Sequence, residues 1–179
     1  TGIGRVQVRN ATKPWARVGY TGYGFNVLLW TSGRNNVEPE LSLSTGLPLI
    51  QNSLITHGEV QYNFKALEDR LFVVAGASHR LVSVNTDGTL MQSKRDDNLS
   101  GVFAQADYKL ADALKAVFAA RWDRSSLVPS QLSPKAAIVW TPYDGQSLRA
   151  TFNQAFQAPN YSELYLFVKH PTSALAYAG

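Results

Sequence analysis

The sequence predicts an all-β fold, an antiparallel β-barrel that crosses a membrane, and three observations predict it. Side chains alternate with a period of two over many segments, as in "SLRATFNQAFQ" (147–157), where Leu148, Ala150, Phe152 and Phe156 oppose Arg149, Thr151 and Asn153. The alternating runs supply about 9–11 residues each, the length a tilted membrane strand needs, whereas strands of soluble sheets average roughly 5–6. Between residues 57 and 157 the links are short and long in turn, the loop pattern of outer-membrane barrels.

Taken in order, the elements read as a meander of about eight strands. "GRVQVRN" (4–10) sets Val6 and Val8 against Arg5, Gln7 and Arg9. "WARVGYTGYGFNVLLW" (15–30) reads as one aromatic-rich strand with a bulge or sharp twist at Gly22 and Gly24. Residues 31–52 read as a long loop with a short strand near 41–43. "HGEVQYNFKA" (57–66) opposes Val60, Tyr62 and Phe64 to Glu59, Gln61 and Asn63, and "RLFVVAGASHRLVSV" (70–84) follows after a short link. A long polar link (85–98) leads to "SGVFAQADYKL" (100–110), and a short one to "ALKAVFAARWD" (113–123). A longer link (124–132) precedes "SPKAAIVWTP" (133–142), and the turn "YDGQ" leads to the strand at 147–157. Asn160-Tyr-Ser-Glu163 resembles a helical capping box, giving two or three turns at most before Pro171. Aromatics near strand ends (Tyr62, Phe64, Tyr108, Trp122, Trp140, Phe156) suit the two membrane interfaces.

Composition narrows the function classes. Charged residues are 17%, below the usual figure of roughly 25%, while hydrophobic residues are 45%. The longest apolar run, "VLLW" (27–30), falls far short of the roughly 20 residues of a membrane helix, so only strands could span a bilayer. "TGIGRVQVRN" has neither the charged start nor the apolar stretch of a signal peptide. The absence of cysteine excludes disulfides and thiolate metal sites. The net charge of +4 is scattered, with no basic cluster longer than Lys94-Arg95, which argues against a nucleic-acid partner.

No catalytic constellation stands out, and nothing calls for a metal or cofactor. His57, His79 and His170 lack metal-ligand spacing, and His79 reads as a lumen-facing or rim polar residue. Gly2-x-Gly4 and Gly22-x-Gly24 lack the third glycine of a dinucleotide loop. Asp87, Asp96 and Asp97 could offer oxygens to Ca²⁺ but show no EF-hand register; a solvated loop is the simpler reading. If the apolar rows face lipid, Lys115, Arg121, Asp123, Lys135, Arg149 and Asn153 point into the lumen, since Arg or Lys on the lipid side costs about 2–4 kcal/mol at midplane. There they either satisfy one another and a packed plug or touch a solute.

The last third is more specific. Ser133-Pro134-Lys135, Pro142, Arg149, Ala155-Phe156, Ala158-Pro159 and Glu163-Leu164-Tyr165 follow in an order that resembles the barrel of TonB-dependent outer-membrane receptors. "AGASHR" (75–80), "GVFAQADYKL" (101–110) and "AARWD" (119–123) look like that family's preceding strands, so the resemblance covers about residues 57–166. It implies a segment of a barrel of about 22 strands, with the plug domain and its TonB-contacting motif absent from these residues. It also implies location in the bacterial outer membrane and import of a scarce nutrient on energy passed by TonB, with no bond in the cargo altered. The expected partners are then TonB through the plug, outer-membrane lipid and lipopolysaccharide, and a small-molecule, glycan or peptide ligand. Ligand contacts are expected in loops 31–52, 85–98, 124–132 and 158–179, with Tyr161 and Tyr165 among them, and from the lumen residues Arg121, Asp123, Lys135, Arg149 and Asn153. Two other classes fit the strand pattern: a small pore or structural barrel complete at eight strands, and a soluble carbohydrate-binding β-sandwich. The first requires that the sheet close, the second that another layer cover the apolar rows.

Overall fold

The structure, a computed structural model, describes residues 4–157, 159–168 and 177–178. Its short N-terminal strands are β1 (Val6–Gln7) and β2 (Ala11–Thr12), followed by β3 (Trp15–Gly22) and β4 (Phe25–Asn36). An insert carries β5 (Glu40–Ser42) and β6 (Pro48–Leu49). The long strands are β7 (Asn52–Ala66), β8 (Leu71–Asn85), β9 (Arg95–Ala111), β10 (Leu114–Ser125), β11 (Gln131–Tyr143) and β12 (Gln146–Asn153). A short helix α1 (Tyr161–Tyr165) and the pair β13 (Phe167–Val168) and β14 (Tyr177–Ala178) follow.

Strands β3, β4 and β7 to β12 form one antiparallel meander, and β2 adds to β4 beyond the end of β3, making a nine-stranded sheet that does not close on itself. The predicted all-β meander is therefore present. Its register confirms the parity read from alternation. Phe118 pairs with Ala106 and Ala136, and Ala136 pairs with Phe152, so these share one face. Lys135 pairs with Ala119 and Asn153 on the other. Among the described residues no second sheet or helical layer covers the apolar rows: Phe118 is 61% exposed, Ile138 52% and Phe152 64%. In water that exposure over eight strands would be unfavourable by tens of kcal/mol at about 25 cal/mol per Å². Acyl chains remove the penalty, and the sandwich alternative fails for want of a second layer.

Four differences from the sequence reading concern where strands begin and end. The segment 15–30 is two strands, not one bulged strand, because Tyr23 and Gly24 take φ of 50° and 81° and form a two-residue hairpin turn. A Cβ at Gly24 would stand 2.6 Å from the Asn63 carbonyl oxygen, so the β7 backbone reserves this position for glycine. The segment 4–10 contributes only β1, which pairs with β5 in a small three-stranded sheet with β6 rather than with the meander. The alternation there marks extended backbone but not its partner. Third, the long links are shorter than composition suggested. Strand pairing runs through residues 31–36, 52–56, 95–99, 124–125 and 131–132, leaving 37–51, 86–94 and 126–130 as the loops of that edge. Beyond the hydrocarbon a strand needs no apolar residues, so the sheet continues through sequence that looks like loop.

The fourth concerns α1. Asn160 caps it through Oδ1, which accepts from the Glu163 backbone N–H at 3.0 Å, while Glu163 Oε2 accepts from the Asn160 N–H at 2.9 Å. The helix spans only Tyr161–Tyr165, with Leu166 already extended, so it stops well before Pro171. Pro171, Ala158, His170 and Gly2 lie outside the described residues.

Candidate functional site

The concave face presents the predicted lumen row. Arg121 Nε donates to both carboxylate oxygens of Asp123 at 3.0 and 2.9 Å, and its Nη2 reaches Ser78 Oγ at 3.2 Å. Gly101 sits opposite Asp123, and a Cβ there would collide with both the guanidinium and the carboxylate. Lys115 pairs with Asp107 at 2.9 Å. Arg121, Lys135 and Asn153 line one open cleft of about 390 Å³, together with Glu59, Gln105 and Gln154. Arg149 is elsewhere, donating to Thr151 Oγ1 at 3.1 Å nearer the 144–145 turn. The lumen row is thus partly self-satisfied: Arg121 and Asp123 answer each other, while Lys135 is in no ion pair among the described residues.

A second cleft forms at the long-loop edge, where the segment after β12 folds over the concave face. Tyr161 donates to Asp97 Oδ2 at 2.8 Å, and Ser126 donates to Asp97 Oδ1 at 2.8 Å, so one carboxylate fastens both α1 and the 126–130 loop to β9. Arg95 lies over the Tyr165 ring at 4.0 Å from its centroid. The Phe167 N–H donates to the Leu90 carbonyl at 2.7 Å. Loop 86–94 is joined in turn to the 37–51 insert: Thr89 Oγ1 accepts from the Ile50 N–H at 3.0 Å. Tyr161 and Tyr165 are therefore latch residues; Tyr161 also lines the cleft under α1, whereas Tyr165 lines a smaller one with Met91, Gln92 and Arg95. Burial, and then the Asp97 carboxylate, hold the Tyr161 phenol well above its ordinary pKa of 10.0, so it stays a donor throughout the ordinary pH range. Tyr161→Phe should cost α1 about 1.5–3 kcal/mol of local stability, read as on the order of ten- to a hundredfold faster amide exchange over 161–165. Unchanged exchange would show that Asp97 does not hold the helix.

Asp96 and Asp97 cannot converge on one cation, because strand alternation sends them to opposite faces. Asp96 instead pairs with Lys94 at 2.8 Å. His79 shares the outward face with Ala75 and Ala77, so it does not face the lumen. Its Nδ1 shares a hydrogen bond with Ser100 Oγ at 2.8 Å.

The cleft under α1 measures about 1020 Å³. Arg34 and Arg80 are among its polar walls, and sequence reasoning singled out neither. The cross-strand register aligns Trp30 on β4, His57 on β7 and Arg80 on β8 in one row. The Trp30 and His57 ring centroids are 5.5 Å apart, and the Arg80 guanidinium carbon lies 5.8 Å from the Trp30 centroid. The register between distant strands is what makes them neighbours.

A twisted meander with bare apolar rows outside, a polar concave face, tight turns at one edge and interlocked loops at the other is a wall of a transmembrane β-barrel. The family model described as "TonB dependent receptor-like, beta-barrel" matches residues 4–179, and the chain belongs to that family, whose members are receptors and transporters of the bacterial outer membrane. The match takes in residues 4–56, which lie outside the stretch that carried the resemblance. Comparison with curated proteins gave no match.

Proposed function

We propose that the chain forms part of the wall of a receptor that captures a scarce nutrient outside the cell and imports it into the periplasm on energy transmitted by TonB. The observation that carries this reading is the inward fold of the long-loop edge: α1 and loop 86–94 meet over the concave face and border a cleft of ligand size, while Asp97 fastens both α1 and loop 126–130 to β9. In this reading Arg121, Asp123, Lys135, Arg149 and Asn153 face the lumen, where they meet a plug domain or passing cargo, while Tyr161 lines the outer cleft and Tyr165 a smaller one beside it. Lipid and lipopolysaccharide surround the outward rows, and TonB acts through the plug. The family is one of receptors and transporters, and in this reading no bond in the cargo is altered. The eight-strand pore would require β3 to pair with β12, and in the sheet they are its separate edges.

The test is growth limited by one nutrient at a time, across ferric chelates, cobalamin, glycans and peptides. A strain lacking the gene and a strain lacking TonB should fail on the same nutrient, and reintroducing the gene should restore growth only where TonB is present. Loss of growth that is independent of TonB would point to a passive pore, and no phenotype across the panel would overturn the receptor reading.

A further inference from the structure

We infer that the cleft beneath α1 binds the acidic group of an amphipathic anion, a carboxylate joined to a substantial apolar body. This deepens the receptor reading and rests on it.

Buried side-chain nitrogens in the cleft and beside it lack a partner. His57 is only 9% exposed, and its Nδ1 makes no hydrogen bond. Arg80, its cross-strand neighbour, has a buried Nε with no acceptor and forms no ion pair among the described residues. Arg34 lines the same cleft, and its Nε is also unpartnered although Glu40 meets its Nη2. A buried N–H without an acceptor is destabilising, and native structures rarely leave several on one face. An oxyanion entering the cleft would give an acceptor to the Arg34 and Arg80 N–H groups, both of which line it. A guanidinium offers a planar fork that matches a carboxylate, and Trp30 beside Arg80 restricts how that fork can turn.

The rest of the lining sets the remainder of the ligand. Ile55, Val82, Val84, Leu90, Met91 and Leu166 give the cleft an apolar wall. Glu163 also borders it, with its carboxylate engaged by the Asn160 N–H. A cation would meet Arg34 and Arg80, and a fully polar anion would leave the aliphatic wall uncovered. An anion with an apolar body meets both halves. The Trp30–His57–Arg80 row lies nearer the Asn52 end of β7 than the Ala66 end, towards the long-loop edge that α1 roofs. That position suits a ligand arriving from outside.

The experiment uses the full receptor chain in lipid nanodiscs, titrated calorimetrically with 1-naphthoate, 1-naphthamide and 1-naphthylmethylamine, which share one ring system and differ in charge. The expected order is naphthoate tighter than the neutral amide by about tenfold or more, with the amine weakest. Arg80→Ala should abolish the preference for the anion, Arg80→Lys should restore part of it by returning charge without the fork, and Lys65→Ala, near the opposite edge, should leave it intact. Folding of each variant is checked by its heat-modifiable gel mobility; if Arg80→Ala does not fold, the Arg80→Lys comparison decides. Equal affinity for acid and amide, an unchanged preference in Arg80→Lys and Arg80→Ala, or no binding of any probe would overturn the inference. The growth assay separates this failure from failure of the receptor reading: TonB-dependent growth with no anion preference removes only the proposed ligand class. Anion binding without TonB-dependent growth removes only the transport role.

Discussion

Phe118→Arg should destabilise the folded barrel by about 2–4 kcal/mol, whereas Ala119→Arg, one residue along β10, should change its stability by less than about 1 kcal/mol. Phe118 sits mid-strand on the outward face between Ala106 and Ala136, so an arginine there places its charge among acyl chains at a depth where snorkelling to the headgroups is longest. Ala119 points to the concave face between Gln105 and Lys135, where water and polar side chains are at hand. The measurement is reversible urea unfolding of the full receptor from phospholipid vesicles, followed by tryptophan fluorescence. Equal effects from the two substitutions would mean that the outward rows do not face lipid, and the membrane reading would fall with them.

The second large effect lies at the loop edge. Glu40→Ala should cost the 37–51 insert about 3–5 kcal/mol of local stability, because it leaves a partly buried arginine charge without its counter-charge. Glu40 is 1% exposed and accepts from Arg34 Nη2, from Asn36 Nδ2 at 2.8 Å and from Gln51 Nε2 at 3.5 Å. These groups tie β4, β5 and the start of β7 together around one carboxylate. Burial alone would raise the Glu40 pKa, but the Asn36 and Arg34 hydrogen bonds and the Arg34 charge outweigh it and hold the carboxyl below its ordinary 4.5. A carboxyl depressed in the folded state contributes its stability above about pH 4.5 and loses it as the pH falls through the lowered value. Amide exchange over 37–51 should therefore be protected at neutral pH, deprotected below pH 4.5 in the wild type, and already fast at neutral pH in Glu40→Ala. Protection that is insensitive to both the substitution and acid would show that the insert is held by its β5–β6 pairing instead.

Legibility in the sequence followed the range of the interaction being read. The alternation at 57–66, 100–110, 113–123 and 133–142 located strands and assigned their faces, because the side-chain period of two and the cost of placing charge in lipid act within a single strand. The capping box at Asn160 and Glu163 was equally local, and both of its hydrogen bonds form. The hairpin at Tyr23-Gly24 escaped notice because tyrosine rarely opens such a turn; what holds the chain there is pairing of β4 with β7, some 35 residues further on.

The candidate site divides the same way. Arg121, Asp123, Lys135, Arg149 and Asn153 could be placed on the inner face from parity, but only the structure shows that Arg121 and Asp123 pair while Arg149 stands apart. Tyr161 and Tyr165 could be found from their loop, but not their anchors Asp97 and Arg95, which lie far away in sequence.

By itself, then, the sequence determined the class of the chain, the two faces of its sheet and the outward environment, since each depends on free energies that accrue residue by residue. Only the tertiary structure decided where strands stop, which loops fold inward, and that Trp30, His57 and Arg80 stand side by side. Those facts depend on register between distant strands, which is set by hydrogen-bond ladders and loop packing that no local pattern encodes.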